Sequence, residues 1–173
     1  MFYVYHNVPE EMVGSMLMPL SDMAQIRSDL SDKYTEKYKG REEVMQRKIS
    51  VLDCHWNDVV QFLPFHPSKA FNLQIELGII SEMPHYKFFE IPLELLDQEK
   101  TAVFFKTAPG EENIEFKMLK DIDFARIQDV PQATQDYYRT VAATGELPFN
   151  YQFVPHILYK GTLDISSVKI ITL

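Results

Sequence analysis

Residues 153–173 read FVPHILYKGTLDISSVKIITL. Two runs rich in Ile, Leu, Val and Tyr flank a break at Gly161. The β-branched and aromatic residues Ile157, Leu158 and Tyr159, then Val168, Ile170 and Ile171, predict two strands. His156 opens the first of them, directly after Pro155. A chain that closes on two strands, with no helical pattern between them, is not built from βαβ repeats. A mixed or antiparallel sheet is expected instead.

Working back from this end, DVPQATQDYYRTVAATGELP (129–148) predicts a helix, opened by Pro131 and stopped by Gly145 and Pro148. Tyr86 to Ile91, Thr101 to Lys106 and Ile114 to Met118 read as strands, with PLELLDQE (92–99) a helical turn and TAPGEEN (107–113) a loop. Phe2 to Tyr5 reads as a first strand. Pro9, Glu10 and Glu11 suit a helix start, and Met12, Val13, Met16 and Leu17 fall at helical spacing on one apolar face. Ser21 or Asp22 is the expected cap of a following helix. Met23 to Lys48 is charged and helix-prone, with Leu30, Tyr34 and Tyr38 four apart and Gly40 dividing it. LDCHWNDVVQFLPFHPSKAF (52–71) carries an apolar run interrupted by Pro64 and Pro67. It predicts an irregular segment or short strand, then a brief helix capped by Ser68. These readings give an α+β fold: one domain over 1–173, with mixed or antiparallel twisted sheets and flanking helices.

The bulk chemistry narrows the function classes. A chain of 173 residues is long enough to bury a substantial core. Its 12 Phe, 9 Tyr and single Trp favour packed strands and surfaces that stack on flat ligands. A formal charge of −8 argues against a generic binder of phosphate backbones. Cys54 is the only cysteine, so no internal disulfide forms and a reducing compartment is compatible. No apolar stretch is long enough to span a membrane. MFYVYHNVPEEM (1–12) lacks the basic and apolar regions of a classical secretory leader. A cytoplasmic protein, or one delivered to a target cell by a specialised export system, is expected.

Five histidines, at 6, 55, 66, 85 and 156, are spread along the chain without metal-ligand spacing. Neither GxSxG, a Walker loop nor GxGxxG is present. Cys54 and His55 are adjacent, which does not make them a catalytic pair, because neighbours in a strand face opposite ways. A buried small hydrophobe is the better reading of Cys54. Two readings compete for HWNDVVQFLPFHPSK (55–69). In one, Trp56 anchors the core and Asn57 and Asp58 cap local backbone. In the other, Ser68 opens a helix with His66 and Lys69 beside its N-terminus, an arrangement suited to an anion. His6 and His156 at strand ends are either satisfied polar groups or ligand contacts.

Three patches in this order resemble the ADP-ribosyltransferase fold, closest to the DNA-targeting ADP-ribosyltransferase toxins and more distantly to the NAD-dependent RNA 2′-phosphotransferases. YVYHNVPEEMVGSMLMPLS (3–21) is similar to the family's first strand, which ends in a His that holds the NAD ribose. VLDCHWNDVVQFLPFHPSKAF (51–71) is similar to its Leu, Asp and aromatic stretch, with His66 where the toxins place a catalytic Arg. VPHILYKGTLDISSVKII (154–171) is similar to its C-terminal strands, with His156 where a catalytic Glu stands; the 2′-phosphotransferases also lack that Glu.

The resemblance implies NAD as cofactor, held by His6, Asn7, Trp56, Ser68 and Lys69, with His66 and His156 in the catalytic positions. It implies transfer of ADP-ribose to a macromolecular acceptor, nucleic acid or protein. Cleavage of the NAD glycosidic bond develops positive charge on the ribose, which a carboxylate stabilises better than a neutral imidazole. The alternative is therefore a nucleotide- or partner-binding module that keeps the fold without the chemistry. A purely structural α+β protein is a third possibility.

Overall fold

A computed structural model describes all 173 residues. Its strands are β1 (Tyr3–Asn7), β2 (Met16–Leu17), β3 (Lys48–Ile49), β4 (Cys54–His55), β5 (Val60–Phe62), β6 (Lys87–Pro92), β7 (Thr101–Lys106), β8 (Ile114–Met118), β9 (His156–Tyr159), β10 (Leu163–Asp164) and β11 (Lys169–Thr172). Its α-helices are α1 (Leu20–Ile26), α2 (Ser28–Thr35), α3 (Ser68–Glu76) and α4 (Gln132–Thr144), with short 3₁₀ turns between elements.

Two antiparallel sheets organise the chain. One has three strands in the order β1-β6-β11, the other four in the order β5-β9-β7-β8. They join at one antiparallel bridge between Tyr5 and Leu63. There the Tyr5 amide donates to the Leu63 carbonyl at 3.0 Å, and the Leu63 amide donates back at 2.8 Å. Two-stranded pairs, β2 with β10 and β3 with β4, complete the framework.

The apolar runs of the inner strands β6, β7 and β9 are nearly continuous because both of their faces are covered. Val103 and Ile157 face a core shared with Val4, Phe62, Phe89 and Ile91. Their neighbours Ala102, Phe104 and Leu158 face the opposite way, against Tyr38, Ile49, Leu52 and Trp56. On the three-stranded sheet, Tyr5 and Phe88 pack against Phe65, Ala70 and Tyr138 from α3, α4 and the connection before α3. Period-two alternation thus sends successive side chains into different cores rather than into core and solvent. Helix α4 runs between the expected signals: Pro131 precedes it, and Gly145 ends it at φ 71°, a left-handed conformation open to glycine.

Three expectations are corrected. No helix forms over 9–17. Gly14 turns the chain at φ 58°, and Met16 and Leu17 pair with Asp164 and Leu163. The apolar spacing of Met12, Met16 and Leu17 serves a cavity wall instead. Helix α1 begins after Pro19 with no side-chain cap, so Ser21 and Asp22 lie inside its first turn. Ser68 is the first residue of α3 rather than its cap, Pro67 holding that place. The two closing strands form as expected and lie in different sheets. β9 is an inner strand of one sheet and β11 an edge strand of the other.

Candidate functional site

The seam where β1 meets β5 opens into a cleft of about 430 Å³, lined mainly by hydrophobic side chains. One wall carries Met12, Met16, Met18 and Met23, from the segment after β1 and from α1. Tyr34, Lys37 and Tyr38 descend from α2 and the turn after it. Trp56, Gln61 and Phe62 come from β5 and the approach to it. His6 and Asn7 end β1, and His156 begins β9. A concave, mostly apolar volume of this size with a few convergent polar groups is the usual form of a small-molecule site.

The two histidines are held alike. His6 Nδ1 lies 2.6 Å from the Asn7 carbonyl, and His156 Nδ1 lies 2.8 Å from the Val154 carbonyl. A carbonyl only accepts, so each Nδ1 carries the proton and each Nε2 presents a lone pair. Neither Nε2 has a hydrogen-bond partner within the protein. Burial lowers the His6 pKa to about 4 and that of His156 in the same direction. The nearby carbonyls oppose the shift without cancelling it, so both rings are neutral at pH 7. His6 packs edge-on against Phe62 at 5.7 Å between centroids, and His156 packs on Phe104 at 6.2 Å.

Behind the cleft, Trp56 is buried and locked. Its Nε1 donates to the Tyr38 hydroxyl at 3.2 Å, which also receives Gln61 Nε2 at 3.4 Å. Asp58 serves as the expected local cap, its carboxylate accepting from the His55 amide at 2.8 Å. Trp56 is thus packed in a core, and part of its surface also lines the cavity.

His66, Ser68 and Lys69 do not line this cleft. His66 stacks edge-on on Tyr5 at 5.3 Å, on the side of the seam that faces α3. Its Nδ1 accepts from the Ser68 amide at 3.3 Å, so the Ser68 hydroxyl, 2.7 Å away, is a donor to the same atom. Burial lowers the His66 pKa. The Lys69 ammonium donates to the Gln128 carbonyl at 2.6 Å and pairs with Asp129. The group expected to receive an anion at the start of α3 is thus a local cap and a tether to the segment before α4. Its one cation is already engaged.

Reading the sequence for motifs did not mark Tyr34, Lys37, Tyr38 or the methionine wall as site residues, and all of them line the cavity. The four-residue spacing of Tyr34 and Tyr38 and the helical spacing of Met12 and Met16 were their only signals. Among carboxylates only Glu11 reaches the lining, and its Oε1 is 3.0 Å from Lys33 Nζ. No group of three His, Cys, Asp or Glu side chains is placed to hold a metal ion, and no helix is long and apolar enough to cross a membrane. The chain matches no protein family, no curated protein and no solved structure.

Proposed function

We propose that the cleft binds NAD or a related nucleotide, in a domain of the ADP-ribosyltransferase kind. One observation carries the reading. His6 and His156, far apart in sequence and on strands of different sheets, line one cavity with both Nε2 atoms free to accept. Ribose hydroxyls are donors that such acceptors fit. The adjoining tyrosines and Trp56 supply faces and edges for a flat ring. The three patches that carry the resemblance also border the cleft: the strand that carries His6, the strand after Trp56, and the strand opening at His156.

Binding without turnover is the form of this function that the cleft chemistry favours. Departure of nicotinamide leaves positive charge on the ribose, and the position of His156 offers a neutral ring there. Transfer of ADP-ribose to a nucleic-acid or protein acceptor is the second reading, favoured by the presence of Glu11 in the lining. Calorimetric titration with NAD, paired with an assay for released nicotinamide, separates the two. Saturable heat without nicotinamide supports a binding module. Steady release abolished by Glu11→Gln supports transfer, and no heat with millimolar NAD overturns both.

A further inference from the structure

We infer that Lys37 is the specificity-determining residue of the cleft, and that it pairs with a phosphate of the bound ligand. The inference rests on the nucleotide reading above and assigns the charge that the site selects.

The charges of the lining lead to this residue. Apart from the neutral histidines, Glu11 and Lys37 are its only acid and base. Glu11 is already engaged by Lys33, which also holds Glu10 at 2.9 Å. Lys37 makes no ion pair and donates no side-chain hydrogen bond, whereas Lys33, four residues before it, holds both Glu10 and Glu11. Its ammonium stands 5.0 Å from the centre of the Tyr38 ring, the ring whose hydroxyl fixes Trp56 and Gln61. Its backbone is secured as well, since Arg41 Nη2 donates to the Lys37 carbonyl at 3.1 Å.

Lys37 also acts electrostatically on both cleft histidines, adding to the burial that lowers their pKa values. One ammonium is therefore near enough to influence both rings. This divides the work within the cavity. Neutral imidazoles with open acceptor atoms receive hydroxyl donors and have nothing to offer a phosphate oxygen. The unpaired ammonium is the complementary group, a charge-assisted donor at the mouth of an apolar cleft. In a chain of net charge −8, a cation left without a carboxylate on a cavity rim is a selective feature for an anion.

The test compares four probes on the full chain by calorimetry: NAD, ADP-ribose, adenosine and inorganic pyrophosphate. Lys37→Gln is expected to weaken NAD and ADP-ribose by about tenfold or more, as for loss of a charge-assisted hydrogen bond. Adenosine affinity should stay unchanged, Lys37→Arg should recover part of the loss, and the wild-type affinity for ADP-ribose should fall with added salt. Equal weakening of adenosine and ADP-ribose by Lys37→Gln would make Lys37 a structural support and overturn the inference. Unchanged ADP-ribose affinity in that variant would overturn it too. Pyrophosphate binding that Lys37→Gln removes, with no binding of any nucleoside, would uphold Lys37 and remove the nucleotide reading. Binding of none of the four would remove both.

Discussion

The imidazole of His6 meets the ring of Phe62 edge-on, with centroids 5.7 Å apart, across the seam between the two sheets. Phe62 lies opposite Ile157 in the pairing of β5 with β9, and His156 is the next residue back along β9. Phe62 therefore stands between His6 and the shared core, while His156 points to the other face of the sheet, against Phe104. Phe62→Ala should cost about 3–5 kcal/mol in chemical denaturation, as expected for emptying a site that is 1% exposed. The gentler Phe62→Leu should keep the fold while admitting water beside His6. Its pKa, followed by proton NMR of the ring, should then move up from about 4 toward 6.5. A His6 titration unchanged in Phe62→Leu would show that Phe62 does not control that ring.

The lowered histidine pKa values set the sign of the response to acid. Between 6.5 and about 4 the unfolded chain protonates His6 while the folded chain does not. Protons then favour unfolding, so this contribution is complete above pH 6.5 and is lost as the pH falls toward 4. Each such ring gives a slope of at most about 1.4 kcal/mol per pH unit, and less here because both rings open partly on the cleft. His156 acts in the same sense. Urea denaturation at intervals from pH 8 to pH 4.5 should show a plateau and then a decline, shallower in His6→Asn. Stability that rises on acidification would contradict the neutral assignment of these rings.

Where local pattern and final environment agreed, the fold was legible in the sequence. Thr101–Lys106 and Ile114–Met118 are strands with the expected bounds, and Pro131 and Gly145 bracket α4. The failure at 9–17 has a physical cause. Met16 and Leu17 find their partners at Asp164 and Leu163, and spacing along one segment carries no trace of so distant a pairing. His66 shows the same limit. Its neighbours Pro67, Ser68 and Lys69 suggested an anion site, but Asp129, which neutralises Lys69, comes from a different part of the chain. The cleft itself was half legible: residues that begin or end strands, His6, Asn7 and His156, were found. Lys37 sat unremarked in a run of charged helix, and Tyr34 was marked only by its spacing from Leu30 and Tyr38.

Cys54 offers an independent check on the packing behind the cleft. Its side chain is buried among Ile49, Leu52 and Trp56, and burial pushes the thiol pKa up. A thiol that is both covered and protonated reacts slowly. A disulfide reagent at pH 8 should leave native protein essentially unlabelled and react fully in denaturant. Rapid labelling of the native state would mean that the segment from Ile49 to Trp56 opens readily.

Tyr34 ties the segment after β1 to α2. Its hydroxyl donates to the Glu11 carbonyl at 2.8 Å and accepts from the Glu11 amide at 3.1 Å. Lys33 adds ion pairs to Glu10 and Glu11, exposed and of small energetic weight. Tyr34→Phe keeps the ring on the cavity and removes both hydroxyl bonds. Stability should fall by only about 1 kcal/mol, because the groups are open to water. Amide exchange at Glu11 and Met12 should accelerate markedly while the core strands stay protected. Equal exchange in both proteins would mean that the methionine wall is held by its packing alone.

Trp56 reports on the cleft directly. It is the only tryptophan, is 7% exposed, lines the cavity and donates through Nε1 to Tyr38. Arg47 lies over the indole, with its guanidinium carbon 5.4 Å from the ring centroid, and pairs with Glu111 on the outer side. The indole is thus fixed on one side by charge and open to the cavity only along part of its surface. A nucleotide entering the cleft displaces water near that surface and places a flat ring within reach of it. Intrinsic fluorescence should therefore change saturably on adding NAD or ADP-ribose, with the same midpoint as the calorimetric titration. In Lys37→Gln that midpoint should move to about tenfold higher ligand or beyond, while the starting spectrum stays native. Calorimetric binding that leaves the Trp56 emission untouched would place the ligand somewhere other than this cleft.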